Sequence, residues 1–438
     1  MPDLELPDRF RNKPIYDLTQ FYSEFVPFTA NSVYPVHRWY RFKEGYSRDL
    51  VHLILGFLGG EISCCLDPFA GSGTTPLACQ EVGVRCHSIE VNPFLHHLAK
   101  SKLNTQYTLE GFDKAVTQLR HSLTTCVNKD FEEPVMSTIT ERPNSKKWLF
   151  HRSVLQAILA LRQCIKELES PYSDLFVVVL ASILTDVGNT IKDGKCVRYK
   201  KGWRENKLTR EQVCDLFLRR AKLFRADIQY VQRQKWVESS NADLCVRGSA
   251  LEKLPHLTTD SVDAVITSPP YLNSFDYTDV YMPELWTLGF VKDYEDVQKL
   301  RTATLRSHVQ VKWKTDEGHL DDELRELISE VVDGQETLWN NTIPDMIAGY
   351  FLDMQKVLAQ LERVIRPNGK LCIVIATSSY NKVVIPTDLL TANLAADVGF
   401  DLDEMRVVRR FKRSTEQTTG EGKSLPPLRE SVLFLSAT

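Results

Sequence analysis

Several things are missing from this chain, and each absence closes a door. None of its ten cysteines stands in a C-x-x-C pair. Neither a zinc site nor a disulfide framework is therefore indicated; the thiols read as reduced and mostly buried, and no metal is expected. No long hydrophobic run occurs. The longest, Leu175–Leu184 (LFVVVLASIL), is about half of the roughly 20 residues that span a bilayer, so it reads as core. The first residues, MPDLELPDRF, show no basic n-region and no apolar h-region, which points to a cytoplasmic protein without a membrane partner. There is no G-x-x-x-x-G-K-[ST] loop and no clustered carboxylate–lysine pattern, so helicase and nuclease roles are unsupported. Nor is there a general excess of positive charge. The formal net charge is −3, so any contact with nucleic acid requires positive charge gathered locally.

What is present is an ordinary globular composition, 43% hydrophobic and 25% charged, over a length that suggests two or three structural units. The punctuation is that of an α/β protein. Ile62–Leu66 is a short apolar run ending at Asp67-Pro68, a helix is expected from near Thr74 to near Gly83, and Val84–Ile89 reads as a second strand. Strand, glycine turn, helix and strand make a βαβ unit and hence a parallel sheet. Later strands are expected at Asp263–Thr267, Leu371–Ala376 and Ser431–Leu435. A helix over Ala348–Val364 is stopped by Arg366-Pro367-Asn368-Gly369. Between these halves, Leu149–Leu168 and Leu216–Tyr230 carry helical spacing. We divide the chain into a first segment with the glycine turn (1–104), a mostly helical insert (105–240) and a second half (241–438). That second half carries a polar insert near 290–345, and a flexible loop is expected over Ser414–Pro427.

Two motifs carry chemistry. In the first, Asp67-Pro68-Phe69-Ala70-Gly71-Ser72-Gly73-Thr74-Thr75 follows a strand and opens a helix. Its glycines allow a tight turn and close approach of a ligand to backbone N–H groups. Glu90, at the end of the next strand, is placed to accept hydrogen bonds from two ribose hydroxyls. The dinucleotide fingerprint fails because its third glycine position is Pro76, which disfavours a nicotinamide cofactor and leaves a nucleoside ligand without pyrophosphate. In the second motif, the apolar strand VDAVIT runs into Ser268-Pro269-Pro270-Tyr271. Two prolines end the ladder and hold the backbone stiff.

Together, DPFAGSGTT followed downstream by SPPY resembles the S-adenosylmethionine-dependent DNA amino-methyltransferases, the N4-cytosine and N6-adenine enzymes. "HRWYRFKEGYS" (37–47) looks like the segment that closes over the methionine part of the cofactor. "RVIRPNGKLCIVI" (363–375) and "LRESVLFL" (428–435) look like later strands of that family. The resemblance implies a Rossmann-like, seven-stranded methyltransferase sheet with one antiparallel strand. It implies S-adenosylmethionine bound by Asp67, Pro68, Phe69, Gly71, Gly73, Thr74, Thr75, Glu90, Asn92 and Ser249. Many relatives carry Gly-Asp-Ala where this chain has Gly248-Ser249-Ala250, so the adenine contact is altered at Ser249. Ser268, Pro269, Pro270 and Tyr271 become the catalytic set. The serine oxygen and the Pro269 carbonyl accept from the target amino group, and Tyr271 stacks on a flipped base. No cysteine follows a proline, so covalent C5 chemistry is not expected. Serine in the first position favours cytosine N4 over adenine N6 and over RNA substrates. The expected protein modifies double-stranded DNA, associates with the nucleoid through it, and partners a restriction or defence enzyme. From another class, a catalytically silent nucleic-acid-binding subunit is the alternative.

From Lys192 to Arg225 twelve Lys/Arg face four acids. Arg198, Lys200, Lys201, Trp203, Arg204, Arg219 and Arg220 are the expected nucleic-acid contacts, cations for phosphates with an aromatic for bases. Arg406, Arg409, Arg410, Lys412 and Arg413 form a smaller basic strand, a possible second phosphate contact. Phe275 and Tyr277 are candidate pocket walls. Asp186 and Asn189 fit a functional role or a helix end equally well.

Overall fold

A computed structural model describes residues 8–22, 25–192, 197–205, 207–234, 240–313, 320–333, 338–411 and 427–438. One sheet organises the chain. Its strands are β1 (Ile15–Asp17), β2 (Cys64–Asp67), β3 (Arg85–Glu90), β4 (Cys245–Arg247), β5 (Val262–Thr267), β6 (Ile365–Ala376), β7 (Phe400–Phe411) and β8 (Leu428–Ala437). They lie in the order β1-β7-β8-β6-β5-β2-β3-β4. From β4 to β6 every pairing is parallel, whereas β8 is antiparallel to both β6 and β7. The Rossmann-like α/β fold expected from the sequence is therefore present, with its single antiparallel strand. One correction applies. The sheet has eight strands rather than seven, because the three-residue β1 adds in parallel to the edge strand β7. Three residues with little apolar alternation leave no periodic signal for that edge strand.

Of the central strands, the four-residue β2 is buried along its whole length. Both faces of a parallel sheet are covered by helices, so its strands read as continuous apolar runs. On one side sit α1 (Arg48–Leu58), α2 (Thr74–Glu81) and α3 (Pro93–Leu103). The region after α3 supplies α4 (Leu109–Cys126), α5 (Arg152–Lys166), α6 (Tyr172–Val187) and α7 (Arg210–Val231). These four helices do not form a separate core. Their apolar faces join Phe94, Leu95 and Leu98 of α3 and Trp39, Tyr40 and Phe42 in one cluster. Further along, α8 (Tyr294–Ala303) lies in the polar insert, and α9 (Ile343–Val364) and α10 (Thr387–Asp397) cover the β5–β6–β7 part of the sheet. The loop expected over Ser414–Pro427 falls almost wholly outside the described residues.

A buried carboxylate locks the segment before α1 to the helical region. Asp227 of α7, 1% exposed, accepts from Val36 N at 3.1 Å, Arg38 Nε at 3.1 Å and Trp39 Nε1 at 3.0 Å. The Trp39 ring stacks on Phe224 of α7 with centroids 4.7 Å apart. Val36 holds φ +65°, a strained value for a β-branched residue, and its N–H is one of the donors the carboxylate secures. Asp227→Ala would strand these donors and an arginine against an empty site. We expect it to cost about 3–5 kcal/mol of folding free energy, read from urea midpoints. A loss below about 1 kcal/mol would show that the clasp contributes little.

Candidate active site

Strand order reverses between β2 and β5: successive strands run outward from β2 on one side and from β5 on the other. A crevice at the carboxyl ends of such a pair is the usual place for a ligand in an open α/β sheet. Here the two ends are tied together. Thr267 Oγ1, closing β5, donates to Asp67 Oδ1, closing β2, at 2.7 Å, and the same oxygen accepts from Phe69 N at 3.1 Å. Burial pushes the Asp67 carboxyl up to about 6.

The loop that follows β2 is shaped by two glycines with left-handed backbone. Gly71 has φ +51° and Gly73 φ +80°. A Cβ on Gly73 would sit 2.9 Å from Ala99 Cβ on α3, so glycine lets α3 close against the turn. Gly71 N donates to Glu90 Oε2 at 2.7 Å, and Asn92 N donates to Glu90 Oε1 at 2.8 Å. Each carboxylate oxygen thus keeps a lone pair for a ligand while its side chain is held rigid. Burial raises the Glu90 carboxyl to about 7. Behind the loop, buried Lys102 Nζ donates to the Ser72 carbonyl at 3.1 Å, and burial brings this ammonium down to about 7. Asn92 lies beside the crevice, but its Oδ1 accepts from Phe94 N and Leu95 N and caps α3. Gly248 N donates to the Glu90 carbonyl at 3.0 Å, which brings Ser249 to the same rim.

Ser268-Pro269-Pro270-Tyr271 leaves the end of β5 and forms the opposite wall. The Tyr271 hydroxyl donates to Glu430 Oε1 of β8 at 2.5 Å. Burial, and then the Glu430 carboxylate, hold that phenol well above its ordinary range. Between the walls lies a cleft with about 1130 Å³ of empty space, counting its open mouth, lined by both motifs. All the expected residues of the glycine loop except Ser72 and Gly73 line it, together with Glu90, Asn92, Ser249 and the whole Ser-Pro-Pro-Tyr unit.

Other lining residues come from the 37–47 segment expected to close over the methionine part of the cofactor, and from stretches that went unread in the sequence. Phe42, Glu44, Gly45 and Tyr46 close one end, and the hydroxyls of Tyr46 and Thr75 are hydrogen-bonded. Glu44 Oε2 accepts from the Tyr281 hydroxyl at 2.6 Å, its other oxygen has no hydrogen-bond partner, and burial raises its carboxyl. Tyr277 lines the cleft, whereas Phe275 does not. Thr304, Ser307 and His308, from the polar insert, complete the wall. Their signal was absent because that insert carries no apolar period. His308 is 1% exposed, its Nε2 lies 3.1 Å from Thr304 Oγ1, and burial lowers its basicity.

The basic stretch is more structural than its charge suggested. Lys200 Nζ donates to the carbonyls of Thr185, Asp186 and Gly188 and so caps the end of α6. Arg220 pairs with Asp186 at 2.7 Å. Trp203 is buried, edge-on to Trp148 with centroids 4.6 Å apart. All three side chains thus have partners within the protein, Asp186 is an ion-pair partner, and Asn189 donates to the Trp148 carbonyl at 3.0 Å. Arg204, Lys201 and Arg219 remain exposed, and Arg198 is half of a short hairpin with β-residues 190–192. Arg204 Nη2 donates to the Lys146 carbonyl at 2.7 Å and stacks on Trp203, while Lys147 Nζ lies 5.4 Å from the centre of the Tyr199 ring. Sequence reading missed Lys146 and Lys147, which join this surface from a loop over fifty residues away. The basic edge of β7 is also paired: Arg406 with Glu404, Arg409 with Glu430 and Arg410 with Asp17. A second phosphate contact there is therefore not supported, and Lys412 and Arg413 lie outside the described residues. Among the described residues no His/Cys/Asp/Glu group is arranged to hold a metal, and no helix is long and apolar enough to cross a membrane.

Comparison with known proteins gives the same direction. The chain is 28% identical over 449 residues to the type II methyltransferase M.BsoBI of Geobacillus stearothermophilus, covering 92% of this chain and 86% of that protein. It is 28% identical to the type II methyltransferase M.AvaI of Anabaena variabilis, covering 91% and 86%. It is 21% identical to the type II methyltransferase M.MvaI of Kocuria varians, covering 76% and 74%. No protein-family model matches the sequence. Among solved structures, the rRNA methyltransferase AviRa of Streptomyces viridochromogenes aligns over 93% of this chain and 92% of its own at 10% identity, with a TM-score of 0.29. That score is too low to carry an argument.

The two raised carboxyls set the sign of a pH effect. Between about pH 4.5 and 7 the folded free protein retains protons on Glu90 and Asp67 that the unfolded chain has released, so stability falls as pH rises through that window. Glu90→Gln should remove about 3 kcal/mol of this dependence, measured by thermal melts of both proteins across the window. Parallel profiles for the two proteins would contradict the assignment.

Proposed function

We propose that this chain is a site-specific DNA methyltransferase of the type II kind, transferring a methyl group from S-adenosylmethionine to the N4 amino group of a flipped cytosine in duplex DNA. The carrying observation is the meeting of the glycine loop and Ser-Pro-Pro-Tyr in one cleft, joined by the Asp67–Thr267 hydrogen bond. The named relatives support the DNA reading over nine-tenths of the chain. A restriction or other defence enzyme is the partner such a protein would shield its host from.

The residues present fit the cofactor. Glu90 keeps an acceptor lone pair on each oxygen that would take a ribose diol, the glycine loop offers a close backbone approach, and Ser249 and Val91 would hold the adenine. Phe42, Glu44 and Tyr46 would hold the methionine end. When bound, S-adenosylmethionine supplies an electrophilic methyl on its sulfonium. The chain's task is then to present the nucleophile. An exocyclic amino nitrogen is poor because its lone pair is delocalised into the ring. Acceptance of its two hydrogens by Ser268 Oγ and the Pro269 carbonyl turns the lone pair towards the methyl. The prolines hold both acceptors in place, so little reorganisation is needed. Tyr271 covers one face of the extruded base, offsetting part of the few kcal/mol that flipping costs. The amino proton leaves after transfer, so no general base is required before attack.

Duplex DNA is assigned to the surface of Lys146, Lys147, Lys201 and Arg204. The hairpin beneath it leads to the cleft through Lys192, whose Nζ donates to Glu284 Oε1 at 2.8 Å and lies 4.3 Å from the centre of the Tyr281 ring.

The deciding experiment is incubation with tritiated-methyl S-adenosylmethionine and mixed DNA, digestion to nucleosides, and identification of the labelled one by mass. N4-methyl-2′-deoxycytidine is expected. N6-methyl-2′-deoxyadenosine would keep the mechanism and overturn the base assignment, and no label on DNA would overturn the reading in favour of an RNA substrate or a silent binding subunit. Ser268→Ala should lower transfer about 10²–10³-fold with S-adenosylmethionine affinity unchanged by calorimetry; lost affinity would place the serine with the cofactor. Replacing Lys146, Lys147 and Arg204 with Gln should reduce the slope of log affinity against log salt by about 2–3. An unchanged slope would move the duplex elsewhere.

A further inference from the structure

We propose that Glu430, held in turn by Arg409, is a positioning residue that clamps the Tyr271 ring so that it can cover the target base. This rests on the reading of Tyr271 given above.

Tyr271 lines the cleft and Glu430 does not, so the carboxylate acts through the tyrosine and not on substrate. Glu430 is 3% exposed and sits near the start of β8, where it faces Ala376 of β6 and Arg409 of β7 in the sheet register. Its Oε1 accepts from the Tyr271 hydroxyl at 2.5 Å and from Arg409 Nη2 at 3.1 Å, and Arg409 Nε lies 2.9 Å from Oε2. The Arg409 guanidinium is itself seated 4.6 Å from the centre of the Phe411 ring. An isolated buried carboxylate would be costly, and the arginine makes this one tolerable. An arginine–glutamate pair across two strands needs no tyrosine, yet the phenol points its hydrogen at this carboxylate. A hydrogen bond to a charged acceptor is short and directional. It fixes the position of the phenol end and so the direction of the ring's long axis, which a hydrophobic wall alone would leave free. The other end of the same four-residue unit is anchored at Thr267. Ser-Pro-Pro-Tyr is thus pinned at both ends, by Asp67 from the cofactor side and by Glu430 from the last strand.

The test compares Tyr271→Phe, Glu430→Ala, their double mutant and Glu430→Gln, which retains an acceptor oxygen. Transfer to DNA is measured as kcat and KM, base extrusion by the fluorescence of 2-aminopurine at the target position, and S-adenosylmethionine affinity by calorimetry. Tyr271→Phe and Glu430→Ala should each lower kcat about 10- to 100-fold, the equivalent of one charge-assisted hydrogen bond. The double mutant should be no worse than either, because both remove the same bond. Glu430→Gln should recover most of the loss, and cofactor affinity should hold in all four. Multiplying effects, or activity lost only together with cofactor affinity and melting temperature, would overturn the clamp in favour of a plain cross-strand ion pair. A second readout separates this from the assignment of the reaction. Selective ¹³Cζ labelling of tyrosine, with Tyr271 assigned by its absence in Tyr271→Phe, reports the hydrogen bond at its phenol by NMR in the protein without DNA. A Cζ shift that moves in Glu430→Ala and is largely recovered in Glu430→Gln supports the clamp even if no nucleoside is methylated. An unchanged shift overturns it even if methylation is confirmed.

Discussion

One hydrogen bond, from Thr267 Oγ1 to Asp67 Oδ1, joins the carboxyl ends of two neighbouring parallel strands at the place where strand order reverses. The glycine loop departs from one of those ends and the Ser-Pro-Pro-Tyr unit from the other. Strand spacing therefore sets the distance between them, and in a parallel sheet that spacing is about 4.7–4.9 Å. Neither side chain is near solvent, so the bond is made in a medium where it is strong and where losing one partner is costly. Around it the remaining walls assemble: the 42–46 segment from one side, residues of the polar insert from another, and β8 from behind.

The parts of this arrangement that are local in sequence were legible there. A buried run ending at Asp67-Pro68, two glycines and a helix start describe a βαβ turn without reference to anything distant, and two prolines after Thr267 mark where a ladder must stop. Partnerships between residues far apart were not legible. Asp227 gathers donors from residues 36–39, and Glu430 meets Tyr271 across 159 positions. Each looks from its neighbours like an ordinary surface acid. The basic stretch shows the same gap in reverse. Its composition was read correctly, but charge alone says nothing about which cations are spent on helix ends and neighbouring acids. Lys200 and Arg220 are spent that way. The strand β1 was invisible because a three-residue edge pairing needs no pattern of its own.

The electrostatics divide along the same line between scaffold and surface. Inside, Asp227 and Asp388 are well supplied with donors, Asp388 accepting from Arg429 and Ser431, whereas Glu90 and Glu44 beside the cleft are only partly supplied. Those two leave spare acceptor capacity where a ligand with hydroxyl or ammonium groups would enter. On the surface, the positive loop and turn around Lys146 and Arg204 stand against a chain that is acidic overall. A field confined in this way guides a polyanion to one face and repels it from the others.

The shared core beneath the four helices α4–α7 bears on how such a protein can change over generations. Because those helices close over Phe94, Leu95 and Trp39, they cannot be exchanged as a cassette between homologous chains. A crossover near residues 104 and 241 would mate two halves of a cluster whose side chains were selected in different company, and interiors packed to crystal-like density tolerate such mismatches poorly. Divergence of the helical region is thus confined to stepwise replacement of its outward residues and of the loops between its helices. Shuffling of whole segments, the faster route to novelty, is closed to this architecture.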